Sequence, residues 1–181
     1  MEELMLIRPK AKYAAQIAEY RAEFLAAGDS MDGTSGLREH DDPMKWIEWT
    51  ERMATDAARE RGWVPDWQFL CIRKRDDRLV GMIDVRLELN DYCRRFAGHI
   101  GYSVRRSERR RGYAKEQLRM VLEICGELGW KEALITCVRE NEASRRTILA
   151  LGGRFESEEY DDSDGTMTCR YWVPVSADGN P

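Results

Sequence analysis

No run of apolar residues in this sequence approaches the roughly 20 that a bilayer-spanning helix requires. The chain begins Met1-Glu2-Glu3, acidic where a secretory leader would be basic, so a cytoplasmic location is expected. Cysteine is sparse: Cys71, Cys93, Cys125, Cys137 and Cys169 make an odd count, with no C-x-x-C pair and no histidine set nearby. Neither a disulfide framework nor a metal site is expected, and the thiols read as reduced core filling. An excess of positive charge is also lacking, since 29 Lys+Arg against 33 Asp+Glu give a net charge of −4. Nucleic acid and anionic membrane are therefore not expected as partners. There is no G-x-x-x-x-G-K-[ST] and no G-x-G-x-x-G, which removes Walker-type nucleotide hydrolases and dinucleotide dehydrogenases.

What is present is a soluble composition of 43% hydrophobic and 34% charged residues over 181 positions. A chain of this length can bury about 70% of its unfolded surface without a staple. The reading is one domain over residues 1–175 with a small, polar tail at 176–181. Leu4 to Arg8 reads as a strand stopped by Pro9, and Ala11 to Ala27 as a helix on Tyr13, Ile17, Tyr20 and Phe24, ended by Gly28. The loop from Gly28 to His40 is unusually long, which points to function. Asp42 and Pro43 open a second helix through Trp46, Thr50, Met53 and Ala57 to a stop near Gly62. Strands follow at Gln68 to Arg73 and Leu79 to Leu89, a hairpin with one face buried, then at Ala97 to Val104. A helix from Tyr113 to Leu128, a strand from Ala133 to Val138, a helix from Asn141 to Gly152-Gly153 and strands at Phe155 to Tyr160 and Thr166 to Val173 complete the pattern. The order is β-α-α-β-β-β-α-β-α-β-β, an α/β fold with a mixed sheet covered by helices.

Charge is concentrated in one place. Between Arg105 and Arg119 stand seven basic residues (Arg105, Arg106, Arg109, Arg110, Arg111, Lys115, Arg119) and two acidic ones (Glu108, Glu116). Such a run is most simply a solvated face. Here it connects a strand to a helix and ends in Gly112-Tyr113-Ala114, where free backbone amides and small residues admit an anionic phosphate. Arginine forks can add charge-assisted bonds to the same oxygens. A strand feeding an amide-lined cationic turn is a phosphate-binding device.

With these residues in place the chain resembles the GNAT superfamily of acyl-CoA-dependent N-acyltransferases. The family signature [RQ]-x-x-G-x-[GA] is matched by Arg109-Arg110-Arg111-Gly112-Tyr113-Ala114, with Val104 at the valine-like position five residues earlier. A second signature, N-x-x-[AS] opening the next helix, is matched by Asn141-Glu142-Ala143-Ser144, with Gly152 at its end. Gly98 to Arg105 is similar to the G-[HY]-I-G-Y-S-V-R of bacterial members, and the likeness extends from about Leu4 to Val173.

The resemblance implies that Ala97 to Val104 and Ala133 to Val138 are neighbouring parallel strands that splay apart, with pantetheine inserted between them. Ser103 and Val104 would then offer main-chain groups to pantetheine, an amide near Val104 would polarise the thioester carbonyl, and Arg109, Arg110, Arg111, Gly112, Tyr113, Ala114 and Lys115 would hold the pyrophosphate. Asn141 is a helix cap to which the resemblance adds a pantetheine contact. Acetyl-CoA is the implied co-substrate and the amine of a small molecule or peptide the implied acceptor; a homodimer is compatible with this. The reaction is direct attack of the amine on the thioester, which needs a free amine and a proton for the departing thiolate. Many members use a tyrosine seven residues after the asparagine, but here that position is Ile148. Tyr160, Tyr102 or solvent would serve instead, and a CoA-binding regulatory module without turnover is the rival reading. Glu88 and His99 are the candidate bases; their structural alternatives are a surface carboxylate and a hydrogen-bonded core histidine. Specificity is expected from loop Gly28 to His40, from the helix with Trp46 and Trp49, and from the acidic stretch Glu156 to Asp164, which would favour a cationic acceptor.

Overall fold

The computed structural model describes residues 2–175; the tail expected at 176–181 lies outside the described residues. Seven strands form one sheet in the order β1-β2-β3-β4-β5-β7-β6. They are β1 (Leu4–Ile7), β2 (Asp66–Arg73), β3 (Arg78–Arg86), β4 (Ile100–Val104), β5 (Glu132–Val138), β6 (Arg154–Asp161) and β7 (Thr166–Pro174). Four helices cover it: α1 (Ala14–Ala27), α2 (Pro43–Met53), α3 (Tyr113–Glu127) and α4 (Glu142–Leu149). The element order is the one expected from the sequence. No helix among the described residues is long and apolar enough to cross a membrane.

The helices divide between the two faces according to their apolar stripes. Ile17, Tyr20 and Phe24 of α1 and Trp46 and Ile47 of α2 pack on Leu70, Ile72, Leu79 and Met82. On the opposite face Leu118, Val121, Leu122 and Cys125 of α3 and Ile148 of α4 pack on Phe69, Ile83, Val85, Ile100 and Ile135. Neighbouring residues of β3 thus feed different cores, because a strand turns successive side chains to opposite faces. This corrects the expectation of a hairpin with one buried face: Met82 and Asp84 are as buried as Ile83 and Val85.

Three boundaries also move. The second helix ends at Met53, where Thr55 turns extended (φ −120°, ψ 176°) and its Oγ1 accepts the Ala57 N–H to start a separate 3₁₀ turn, Asp56–Arg61. β3 stops at Arg86, so Glu88 lies in the connection after it. The fourth strand begins at Ile100 because Asn90 caps the Cys93 N–H at 2.8 Å and winds Cys93–Ala97 into a π-helical turn.

Strands β3 and β4 pair antiparallel over five residues, from Gly81 with Val104 to Val85 with Ile100. β4 and β5 run parallel and pair at one register position, Ile100 with Ile135. Beyond it Gly101 to Val104 have no paired partner on β5, so the two central strands splay toward their C-terminal ends.

Candidate active site

The opening between β4 and β5 leads directly into the loop 105–112 and the start of α3. Gly112 takes a left-handed conformation (φ +84°) at the N-cap, and no side chain caps the helix. A Cβ built on Gly112 would meet nothing within 4 Å. The first amides of a 15-residue helix therefore face open space beside the splay.

The basic run divides into struts and free cations. Arg105 is buried, its Nε bonded to Glu23 at 2.9 Å and its Nη1 to the Leu79 carbonyl at 3.3 Å. Arg109 donates Nε to the Val104 carbonyl (3.1 Å) and pairs with Asp29 at 2.7 Å. Arg119 is held by Glu116 and Glu123. Arg110, itself at φ +67°, and Lys115 have no ion-pair partner among the described residues, and Arg111 reaches Glu108 at 3.4 Å. Glu108 is not a stray like-for-phosphate charge: it is buried against Arg73, which donates to it at 2.7 Å and to the Tyr113 hydroxyl at 3.0 Å. Arg73 thus braces the loop from the end of β2. The Glu23 carboxylate on α1 braces it from the other side, accepting the Ser107 N–H at 2.7 Å.

Main-chain acceptors on β4 are already engaged. Gln117 Nε2 donates to the Ser103 carbonyl at 3.1 Å, and Arg109 takes that of Val104. Ser103 Oγ donates to the Asp32 carbonyl at 2.5 Å and accepts from the Tyr20 hydroxyl at 3.1 Å. Asn141 caps α4, its Oδ1 accepting the Ser144 N–H at 3.1 Å. Tyr102 reaches from β4 to α4, its hydroxyl 2.8 Å from Ser144 Oγ, and burial raises its phenol above the ordinary value.

The sequence-proposed proton-transfer groups are dispersed. Glu88 is half-buried and paired with Arg59 at 2.8 Å, which holds its carboxyl below the ordinary value. His99 Nδ1 accepts the Leu134 N–H at 2.9 Å and its ring packs on Trp130, 4.6 Å between centroids. Burial, with Arg86 and Arg94 nearby, pulls the imidazole down to about 4, so it is neutral and locked to β5. Tyr160 is half exposed on β6, separated from β5 by β7. Ile148 is fully buried under α4, and a Cβ on Gly153 would meet its Cγ2 at 2.5 Å. Burial pushes the Cys137 thiol up to about 11, leaving it protonated.

Three of the six carboxylates of the acidic stretch are ion-paired: Glu156 with Arg170, Glu158 with Arg139 and Glu159 with Arg95. A different acidic group faces the α1/α2 side, beneath loop 28–40. Asp66 on β2 and Asp84 on β3 are both buried; in register Gln68 stands opposite Asp84, and Asp66 opposite Arg86. Asp66 accepts from Ser35 Oγ, and Asp84 accepts the Gly101 N–H of β4 at 3.0 Å. Sequence reasoning passed over this pair. A strand expected to begin at Gln68 leaves Asp66 outside it, and a hairpin with one wet face sends Asp84 to solvent.

A match to the acetyltransferase (GNAT) domain family covers residues 4–154. The chain belongs to the GNAT acetyltransferases. No curated protein matches the sequence. Among solved structures, this GNAT chain is similar to a ribosomal-protein-S5-alanine acetyltransferase from Vibrio fischeri, with TM-score 0.74 and 14% identity, covering 100% of this chain and 97% of that one. RimJ of Mycobacterium smegmatis, in complex with CoA-disulfide, gives TM-score 0.72 and 18% identity over 95% of this chain and 82% of that one. A chimera of Vibrio cholerae spermidine N-acetyltransferase SpeG and hSSAT gives TM-score 0.66 and 14% identity over 95% of each chain. At these identities the likeness is one of fold. As a GNAT acetyltransferase the protein is an N-acetyltransferase.

Proposed function

We propose that the protein transfers the acetyl group of acetyl-CoA to a primary amine of a small molecule or peptide, acting as one domain over residues 1–175. The observation that carries this reading is the continuity of the β4/β5 gap with the uncapped start of α3. A pantetheine arm entering the gap competes with Gln117 and Arg109 for the Ser103 and Val104 carbonyls, and a pyrophosphate at its end meets the amides of Tyr113, Ala114 and Lys115. Arg110 and Lys115 supply the free cations, with Arg111 beside them on Glu108, while Arg109 acts through the Val104 carbonyl and Asp29. Asn141 and Ser144 stand at the far wall, tied to β4 by Tyr102.

In the transfer the amine nitrogen attacks the thioester carbonyl carbon, the C–S bond breaks, and the ammonium proton must leave as the thiolate gains one. A strand amide near Val104 stabilises the charge that develops on the carbonyl oxygen. Tyr102 is the phenol nearest the splay, whereas Tyr160 stands two strand spacings away from β5, about 10 Å. Glu88 and His99 take no part in this reading, the first because it is held in an ion pair with Arg59 and the second because its Nδ1 is engaged and its basicity low. Loop 28–40, which lies against β4 at Gly101, faces the acceptor in this reading.

The test combines calorimetric titration of CoA with a thiol-release assay of acetyl-CoA against amino acids, polyamines and peptide N-termini. Binding with turnover on an amine supports the reading. Binding with no turnover on any amine returns the regulatory module, which the buried Ile148 at the family's usual acid position would favour.

A further inference from the structure

Three buried polar side chains on adjacent strands converge on one short piece of chain. Gln68 Nε2 donates to the Gly33 carbonyl at 3.0 Å, Asp66 accepts from Ser35 Oγ, and Asp84, whose carboxyl burial pushes above its ordinary value, accepts the Gly101 N–H at 3.0 Å. The strand beneath is β4, the wall of the proposed acetyl site. Gly33, at φ +70°, lies so close to it that a Cβ would come within 2.3 Å of the Gly101 carbonyl oxygen. The Asp32 carbonyl completes the attachment by accepting from Ser103 Oγ. Gln68 Oε1 is fully buried and has no partner among the described residues. Nothing in this group is needed to close a core, since the apolar packing of α1 and α2 lies on Leu70, Ile72, Leu79 and Met82.

We propose that Asp66 and Asp84 are positioning residues for the transfer: together they clamp the loop segment Asp32–Ser35 onto β4 at Gly101, holding the acceptor side of the site in register with the acetyl side. This rests on the reading that loop 28–40 faces the acceptor. The clamp carries its own electrostatic load. Arg86 on β3, Arg8 after β1, Asp32 in the loop and Cys93 in the turn before β4 all face the pair, and Glu51 on α2 acts on Arg8. Two carboxylates and one more at Asp32 against two guanidiniums leave room for a shared proton. Burial, with Asp84 as neighbour, pushes the Asp66 carboxyl up to about 7. With one proton in the pair, Ser35 and Gly101 are both bonded and one negative charge is buried. Above neutrality a second charge enters the same dry space, and the clamp loosens.

Two measurements decide it. The first is amide hydrogen exchange of the segments holding Ser35 and Gly101 in the unliganded protein at about pH 6 and about pH 9, corrected for intrinsic rates. Protection should fall roughly tenfold at the higher pH in the wild type, as one pKa step of coupling implies, and stay constant in Asp66→Asn. Equal protection at both pH values in the wild type overturns the clamp. The second is the split of kinetic constants. Asp84→Asn, and the gentler Ser35→Ala, should raise the acceptor KM by about tenfold, the worth of a bond to a charged group, with CoA affinity unchanged. A loss shared equally by CoA and acceptor, or no loss, overturns the assignment. Comparing variant with wild type on one acceptor cancels the acceptor's own titration. If CoA fails to bind the wild type at all, the proposed function falls, while hydrogen exchange still decides the clamp.

Discussion

At Asp66 a carboxyl group is buried with the Asp84 carboxyl nearby, and its affinity for a proton rises to about 7. The sign of the consequence for stability follows from linkage. The folded state holds a proton that the unfolded chain has released, so stability is greatest below the ordinary carboxylate value and declines as pH rises through about 7. Asp66→Asn should flatten that decline and raise the melting temperature at alkaline pH; a thermal scan from about pH 5 to about pH 9 measures it. At Gly33 a methyl group has no place to go, and the positive φ adds strain. Gly33→Ala should therefore cost more than the ~1 kcal/mol usual for an alanine at positive φ, read as a drop in urea midpoint. Gly112 is the contrast, equally left-handed but facing open space, so Gly112→Val should fold and fail to bind CoA. Loss of the fold with no separable binding defect would make Gly112 a turn residue only.

At the scale of elements, the legible features were those set by local chemistry. Asp42 before Pro43 and Asn141 before a helical stripe gave α2 and α4 their starts, and both asparagine and aspartate cap as expected. The Arg109 to Ala114 signature marked the turn into α3. What the sequence hid were long-range partnerships. Counting seven cations between Arg105 and Arg119 overstated the field available to a phosphate, because Glu23, Asp29 and the helix's own carboxylates occupy Arg105, Arg109 and Arg119. The strand expected from Ala97 starts only at Ile100, because the π-helical turn Cys93–Ala97 is held by Asn90 and by the close approach of Gly98 to β5, the latter a tertiary contact. Arg73 shows the same limit: in sequence it ends a strand, in the fold it props the loop before α3, 35 positions away, through Glu108. Removing one partner of a buried pair typically costs about 3–5 kcal/mol. Arg73→Gln should thus lower the denaturant midpoint and weaken CoA binding together, whereas Lys115→Ala should weaken binding alone.

Across the whole molecule the sheet does two jobs with one set of strands. On the α3/α4 face it builds the larger apolar core, and on the α1/α2 face it carries both an apolar core and the buried polar floor under loop 28–40. Between them β4 and β5 part after a single paired position. That parting and the uncapped helix start beyond it are the claim on which the functional account stands. Isothermal titration of CoA into the wild-type protein, repeated with Gly112→Val, tests it most directly. The account predicts one site per chain with micromolar affinity, about −8 kcal/mol, and no detectable heat from the variant although it remains folded. Absence of binding to the wild type at millimolar CoA, or equal binding by both proteins, would contradict it.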